Sequence, residues 1–451
     1  MGDALLREAP RPRLAQLSGT LLAGVWIGEL AAIVHPAPLL STAVGLALAA
    51  FLLLAAARAS AHIRVLFTVV VALAAAMAWW QGVPEALLHG FRRSEIFGAF
   101  LPSVLFLRAT AESTSRIARL RHGLGDLDAA AAQNWTLYGS HALGAVLNVG
   151  AMSVLAPVVT RGVDEAQRTR LASSSARGVG TAVMWSPFFV AIGFTSQLVP
   201  HVQVWQVMAV GTGLAAIGLA LSHLLFTPAL GARAFGASVA RLRPLLAPMA
   251  VVIGAVVGAS ALLGWSGLQS VALVVPLCCV AYLALLGPAS AREASRRTLA
   301  SFGRLADELL IVVGATVLAV VVAALPPAHA IGADLTPGLI SGFALMAALV
   351  FVLVALGLAG LHPMIGAGIL LPPLAAGAFG ICHAVLVETA VFAWGLSASI
   401  SMWTLPIVAA SLNFQVPVRS LMSRRSLAFG LAWAIAGTLY LGAVNAICGP
   451  A

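Results

Sequence analysis

The chain is built from long apolar runs, at 14–34, 39–57, 65–82, from near 95, and at 178–200, 202–226, 244–263, 269–288, 305–325, 337–359, 382–404 and 427–447. About 20 apolar residues suffice to cross a bilayer as a helix. Two further stretches, 137–159 and 361–381, are apolar but interrupted by Gly and Pro. Across 451 residues, 61% are hydrophobic and only 9% charged, whereas an ordinary soluble domain carries about 25% charged residues. So few charges cannot cover a water-facing surface of this size. A soluble enzyme, a nucleic-acid-binding protein and a disordered chain are therefore excluded. The expected fold class is an all-α polytopic membrane protein of about 11–13 spans.

The net charge of +10 comes from 25 basic residues, every one an arginine. They cluster between apolar runs: Arg7/Arg11/Arg13, Arg58/Arg64, Arg116/Arg119/Arg121, Arg161/Arg168/Arg170, Arg233/Arg241/Arg243, Arg292/Arg296/Arg297 and Arg419/Arg424/Arg425. Such clusters mark cytoplasmic loops and lipid headgroup contact rather than nucleic acid. The connections 35–38, 264–268 and 326–336 lack arginine and are expected outside. Arg92 and Arg93 run against this pattern. The run Leu14–Val34 lacks a small-residue cleavage site and reads as a first transmembrane helix, not a signal peptide. The expected location is a bacterial inner membrane. Cys278, Cys279, Cys382 and Cys448 form no CxxC pair and read as small core residues rather than disulfides or metal ligands.

An internal repeat is visible. Residues 184–200 read MWSPFFVAIGFTSQLVP and residues 402–417 read MWTLPIVAASLNFQVP. Upstream, His141 opens HALGAVLNVGAMSVLAPV and His362 opens HPMIGAGILLPPL. An acidic residue precedes each copy, Glu95 and Glu308. The expected organisation is 1–94 as N-terminal helices and 95–226 as a first repeat, with hairpin 137–159 and broken helix 178–200. Residues 227–304 connect it to a second repeat, 305–451, with hairpin 361–381 and broken helix 382–412. Arginines flank the first hairpin on both sides, and the second ends outside, so the repeats are expected to be inverted. The stretch 337–359 reads either as a span or as an interfacial arm. Its counterpart near 111–134 is amphipathic and arm-like.

Paired Gly/Pro-broken hairpins, each followed by a helix with a Ser/Thr-Pro break, resemble the ion-transporter superfamily. That group includes divalent-anion sodium symporters, arsenite and sodium/proton permeases, and large membrane subunits of tripartite periplasmic transporters. LGLAGLHPMIGAGIL (356–370) is similar to the second hairpin of that group. The resemblance covers roughly 95–226 and 305–447. It implies an inverted-repeat scaffold, an elevator-like motion and organic-anion cargo coupled to sodium or protons. The Ser-Asn-Thr hairpin-tip motif of the sodium/dicarboxylate branch is absent from both hairpins.

The candidate substrate- and ion-binding residues follow from these features. Pro187 and Pro406 each remove a backbone donor, and Ser186 and Thr404 stand beside them to satisfy a freed group or a ligand. Asn148 is the amide of the first hairpin. His141 and His362 could carry a proton or contact an anion, or simply bond backbone carbonyls. Glu388 lies between the second hairpin and the MWTLP break. An intramembrane carboxylate is costly and marks function by default, which makes Glu388 the candidate for proton coupling, with an interfacial Glu at the outer helix end as the other reading. Glu29, in a peripheral helix, reads as interfacial or as a structural hydrogen-bond partner. Gln197, Asn413 and Gln415 follow the breaks and could bond a polar cargo. Arg177 reads as a topology-setting charge at a helix start, with attraction of an anion as the other reading.

No Walker A loop, HExxH, GxSxG or Cys/His cluster is present. The expected function is a secondary active transporter for a small carboxylate-like anion, with no catalytic residue and no cofactor. A proton or a sodium ion would be the coupling species. A homodimer and a periplasmic binding protein stay open as partners. The alternatives are a membrane enzyme on a lipid-linked substrate, with His141 and Glu388 as acid and base, and a proton/sodium antiporter.

Overall fold

The computed structural model describes residues 12–114, 129–159, 162–227, 243–325, 341–376 and 379–448, together with 236 and 240. Arg7, Arg11, Arg116, Arg119, Arg121, Arg161, Arg233 and Arg241 lie outside them, as do the 326–336 connection and much of 111–134. The described residues form helices and no strand. Nine helical segments among them are long and apolar enough to cross a membrane. The protein is thus an all-α polytopic membrane protein.

Two compact units are formed. The first comprises 1–113 and 259–331. It contains α1 (Pro12–Val34), α2 (Pro38–Arg58), α3 (Ala61–Trp80), α4 (Glu85–Ser94) and α5 (Phe97–Glu112). It also contains α12 (Gly267–Leu286), α13 (Pro288–Ser301) and α14 (Leu305–Ala324). Helix α11 (Arg243–Leu263) contributes to both units. Caps set the boundaries: the Ser60 hydroxyl accepts from the Ile63 N–H, and Ser266 and Gln269 form a reciprocal capping box. Trp26 donates to Ser103 at 2.9 Å, and Ser103 donates to the Ala272 carbonyl at 2.9 Å, joining α1, α5 and α12. Arg297 bridges Glu293 on its own helix and Glu112 on α5. Glu29, Glu95 and Glu308 all belong to this unit.

The second unit comprises 114–258 and 332–451. Within it the same order of elements occurs twice. A hairpin of α6 (Ala129–Leu147) and α7 (Gly150–Val159) leads to a broken helix, α8 (Glu165–Ala182) and α9 (Val190–Leu198), and then to α10 (Val204–Phe226). Later, a hairpin of α15 (Gly342–Leu358) and α16 (Pro363–Ala376) leads to α17 (His383–Ile400), α18 (Leu405–Phe414) and α19 (Arg424–Cys448). The packing is reciprocal. Each first hairpin arm lies on the first limb of its own broken helix, α6 on α8 and α15 on α17. Each second limb lies on the other copy's second hairpin arm, α9 on α16 and α18 on α7.

Three sequence expectations are corrected here. The second hairpin is 342–376: its first arm, Gly342–Leu358, comes from the run 337–359, and the stretch 361–381 supplies only the second arm, Pro363–Ala376, with 337–340 and 377–378 outside the described residues. An apolar helix of 17 residues has the hydropathy of a span but returns on itself at Gly360, whose φ of 90° reverses the chain. In the first hairpin the reversal falls at Asn148, with φ of 53° and its side-chain oxygen accepting the Val149 N–H at 2.8 Å. The two histidines are therefore not equivalents: His141 precedes its hairpin turn and His362 follows its own. Finally, Cys382 and Cys448 are joined in a disulfide, while Cys278 and Cys279 on α12 are free.

Candidate functional site

The two helix breaks are built alike, and the residue that defines each is a serine. At the first, 183–189 is not helical, and the buried Ser186 hydroxyl donates to the Ala145 carbonyl near the tip of α6 at 2.5 Å. At the second, the buried Ser401 hydroxyl donates to the Gly357 carbonyl near the tip of α15 at 2.9 Å. Each serine oxygen also faces the N–H two residues on, Phe188 and Trp403, both at 3.4 Å. Each hydroxyl thus ties a break to a carbonyl in the last turn of a hairpin's first arm.

The structural partner of Ser186 is therefore Ser401, three residues before Thr404. Thr404 bonds locally, donating to the Ser401 carbonyl at 2.8 Å, and stands at the N-cap of α18. Pro406 lies in the first turn of that helix, where its missing N–H costs nothing. Pro187 lies within the non-helical break itself. Six residues before each serine is a glycine, Gly180 and Gly395, where α8 and α17 cross.

Glu388 on α17 is fully buried, and neither carboxylate oxygen has a hydrogen-bond partner. Its position is fixed by Gly211 on α10. A Cβ added there would collide with the Met184 carbonyl and stand 2.9 Å from Glu388 Oε1. The carboxyl of the second broken helix therefore lies beside the unwound backbone of the first. Nearby, the Tyr440 hydroxyl is engaged with the Val210 carbonyl at 3.1 Å. A buried carboxyl without a donor is strongly disfavoured as an ion.

His141 is held at both ring nitrogens. The Trp185 indole donates to Nε2 at 3.2 Å, and Nδ1 lies 3.0 Å from the Thr181 hydroxyl. Thr181 donates its own proton to the Gly178 carbonyl at 2.8 Å. The indole can only donate, so Nε2 accepts and Nδ1 carries the proton in this network. His362 accepts from the Met364 N–H at 3.3 Å and meets Trp394 edge-on at 5.4 Å. Asn413 donates to the Ala409 carbonyl of its own helix at 2.8 Å. Gln197 is half-buried in the last turn of α9, and Gln415 lies 3.4 Å from Arg168. The structure thus gathers Ser186, Pro187 and Glu388 around the first break, with His141 behind it. Ser401, Gly180, Gly395 and Gly211 were missed. The shared Gly-x5-Ser spacing at 180–186 and 395–401 is the signal that finds Gly180, Gly395 and Ser401.

An all-α membrane fold with paired hairpins and paired broken helices is an architecture found in transport proteins. No family model matches the chain, and no curated protein is similar to it in sequence. Among solved structures, the fold is similar to that of MtrF of Neisseria gonorrhoeae, described with a class of antimetabolite efflux pumps. The TM-score is 0.56 at 15% identity, covering 80% of this chain and 84% of that one. The YdaH transporter of Alcanivorax borkumensis, described as having an unusual topology, gives a TM-score of 0.48 at 15% identity, covering 84% and 98%.

Proposed function

We propose that the chain is a secondary active transporter of the bacterial cytoplasmic membrane that moves a small carboxylate-like anion by alternating access, with Glu388 carrying the coupling proton. The observation behind this is the place of Glu388: buried, without a hydrogen-bond partner, and beside the broken backbone around Met184. A carboxyl there can hold a proton in the closed site and lose it when the break is hydrated from one side. The hairpins, broken helices and the helices after them form the transport core. The fold shared with an efflux pump supports transport over the enzyme reading. So does the engagement of both His141 nitrogens, which leaves that ring no free position for acid–base work. Uptake of labelled carboxylates into proteoliposomes, with and without a pH gradient, is the test. Accumulation of none of them under either condition overturns the reading.

A second reading rests on the two groups that flank Gly211, the Glu388 carboxyl and the Met184 carbonyl. A carboxylate beside a main-chain carbonyl is a ligand pair suited to a hard cation, so Glu388 and Met184 together favour sodium as the coupling ion. A sodium gradient imposed at equal pH in the same vesicles separates the two.

A further inference from the structure

Arg177 lies in the body of α8, not at its start, and is 2% exposed. Its Nε donates to Ser222 at 2.8 Å and its Nη2 to Ser174 at 2.9 Å. The guanidinium stacks on Phe226, 3.7 Å from the ring centroid, with Phe429 at 5.7 Å. Nη1 is buried with no partner, and the ion pairs among the described residues lie elsewhere. Two serines and a ring face supply dipoles, not a counter-charge, and a buried cation without one is costly.

Glu388 does not supply it. Helix α10 carries both landmarks, Ser222 against Arg177 and Gly211 against Glu388. The eleven helical steps from Gly211 to Ser222 span about 16 Å of helix axis. A second unpaired donor lies in the same corner of α6, α8 and α10: Asn134 Nδ2, fully buried, on a side chain whose oxygen is 3.2 Å from His223, the neighbour of Ser222.

We infer that Arg177 is the centre of an anion site, separate from the helix breaks, that takes a small monocarboxylate with an apolar body. Nη1 holds the carboxylate and Phe226 and Phe429 wall the apolar part. Arginine suits this role because its planar donors match carboxylate oxygens and stay charged when buried. The inference does not depend on the transport reading, since it concerns equilibrium binding.

The test is the melting temperature of the purified full chain in nanodiscs, titrated with sodium benzoate against sodium gluconate. Wild type is expected to show a saturable rise with benzoate. Arg177→Gln should lose it, and Arg177→Lys should bind about tenfold more weakly. Arg292→Gln, the same charge change on an exposed arginine, should keep it. If Arg177→Gln does not fold, Ser222→Ala carries the test, because the Ser222 hydroxyl holds the guanidinium in place through Nε and its loss lets the group turn about the Phe226 face, so that Nη1 is no longer fixed toward the site; benzoate affinity should fall. No saturable rise in wild type, an equal rise in Arg177→Gln, or unchanged affinity in Ser222→Ala overturns the site.

Discussion

Gly180 and Gly395 face one another where the two broken helices cross. A Cβ on Gly180 would stand 3.0 Å from the Gly395 carbonyl oxygen, and one on Gly395 would stand 2.8 Å from that of Gly180. Side chains close the same gap, Ser399 against Gly180 and Met184 against Gly395. Backbone meets backbone here, so neither helix can yield by turning a rotamer.

Gly180→Ala and Gly395→Ala should each destabilise the protein by about 1–3 kcal/mol through overpacking. Thermal melting in detergent reads this. Unchanged melting in both variants would mean that the helices part without cost.

Ser186→Ala and Ser401→Ala should behave as a matched pair. Each leaves a hairpin carbonyl and a break N–H without the hydroxyl, costing about 1–3 kcal/mol. Thr404→Ala should cost less than either, because its hydroxyl bonds carbonyls beside its own break, Ser401 at 2.8 Å and Ala398 at 3.3 Å, rather than a hairpin. A ranking with Thr404 above Ser401 would restore the register that the two Met-Trp pairs suggest.

Glu388→Gln should abolish uptake driven by a pH gradient while leaving exchange of cargo between loaded vesicles measurable. The amide keeps the shape of the carboxyl but takes up and releases no proton. Wild-type proton-driven uptake in this variant, at every pH tested, would remove Glu388 from the coupling step.

Cysteines placed at Arg168 and Arg424 should resist an impermeant maleimide added outside intact cells and react once the membrane is opened. Both positions sit in arginine clusters assigned to the cytoplasm. Labelling from outside at either would reverse the orientation.

The broken helices were legible because proline and a paired Met-Trp interrupt otherwise unbroken hydropathy. The first arm of the second hairpin was not, because Gly342–Leu358 has the composition of a span and only its partner Pro363–Ala376 shows that it turns back. Arg177 was misplaced because hydropathy starts a segment where charges end, whereas α8 starts at Glu165 behind the Asp164 cap, whose side chain accepts from the Gln167 N–H at 2.7 Å. The register of the two breaks differs by three residues from that of the two Met-Trp pairs, because the hairpins are bonded by Ser186 and Ser401, and Met-Trp precedes the first serine but follows the second. The Cys382–Cys448 pairing was beyond reach: spacing alone says nothing of which thiols meet.

That disulfide closes a ring of chain around α17, α18 and α19, with its ends 66 residues apart in sequence. Glu388, Gly395, Ser401 and the whole second break lie inside it. A protease cut anywhere within the ring therefore opens the peptide without dividing the molecule. The two fragments stay tethered until a reductant reaches the bond. On a non-reducing gel the nicked protein keeps its full mass, and on a reducing gel it separates. The half of the site carried by the second broken helix is thus a closed loop of covalent bonds, and the half carried by the first is open chain.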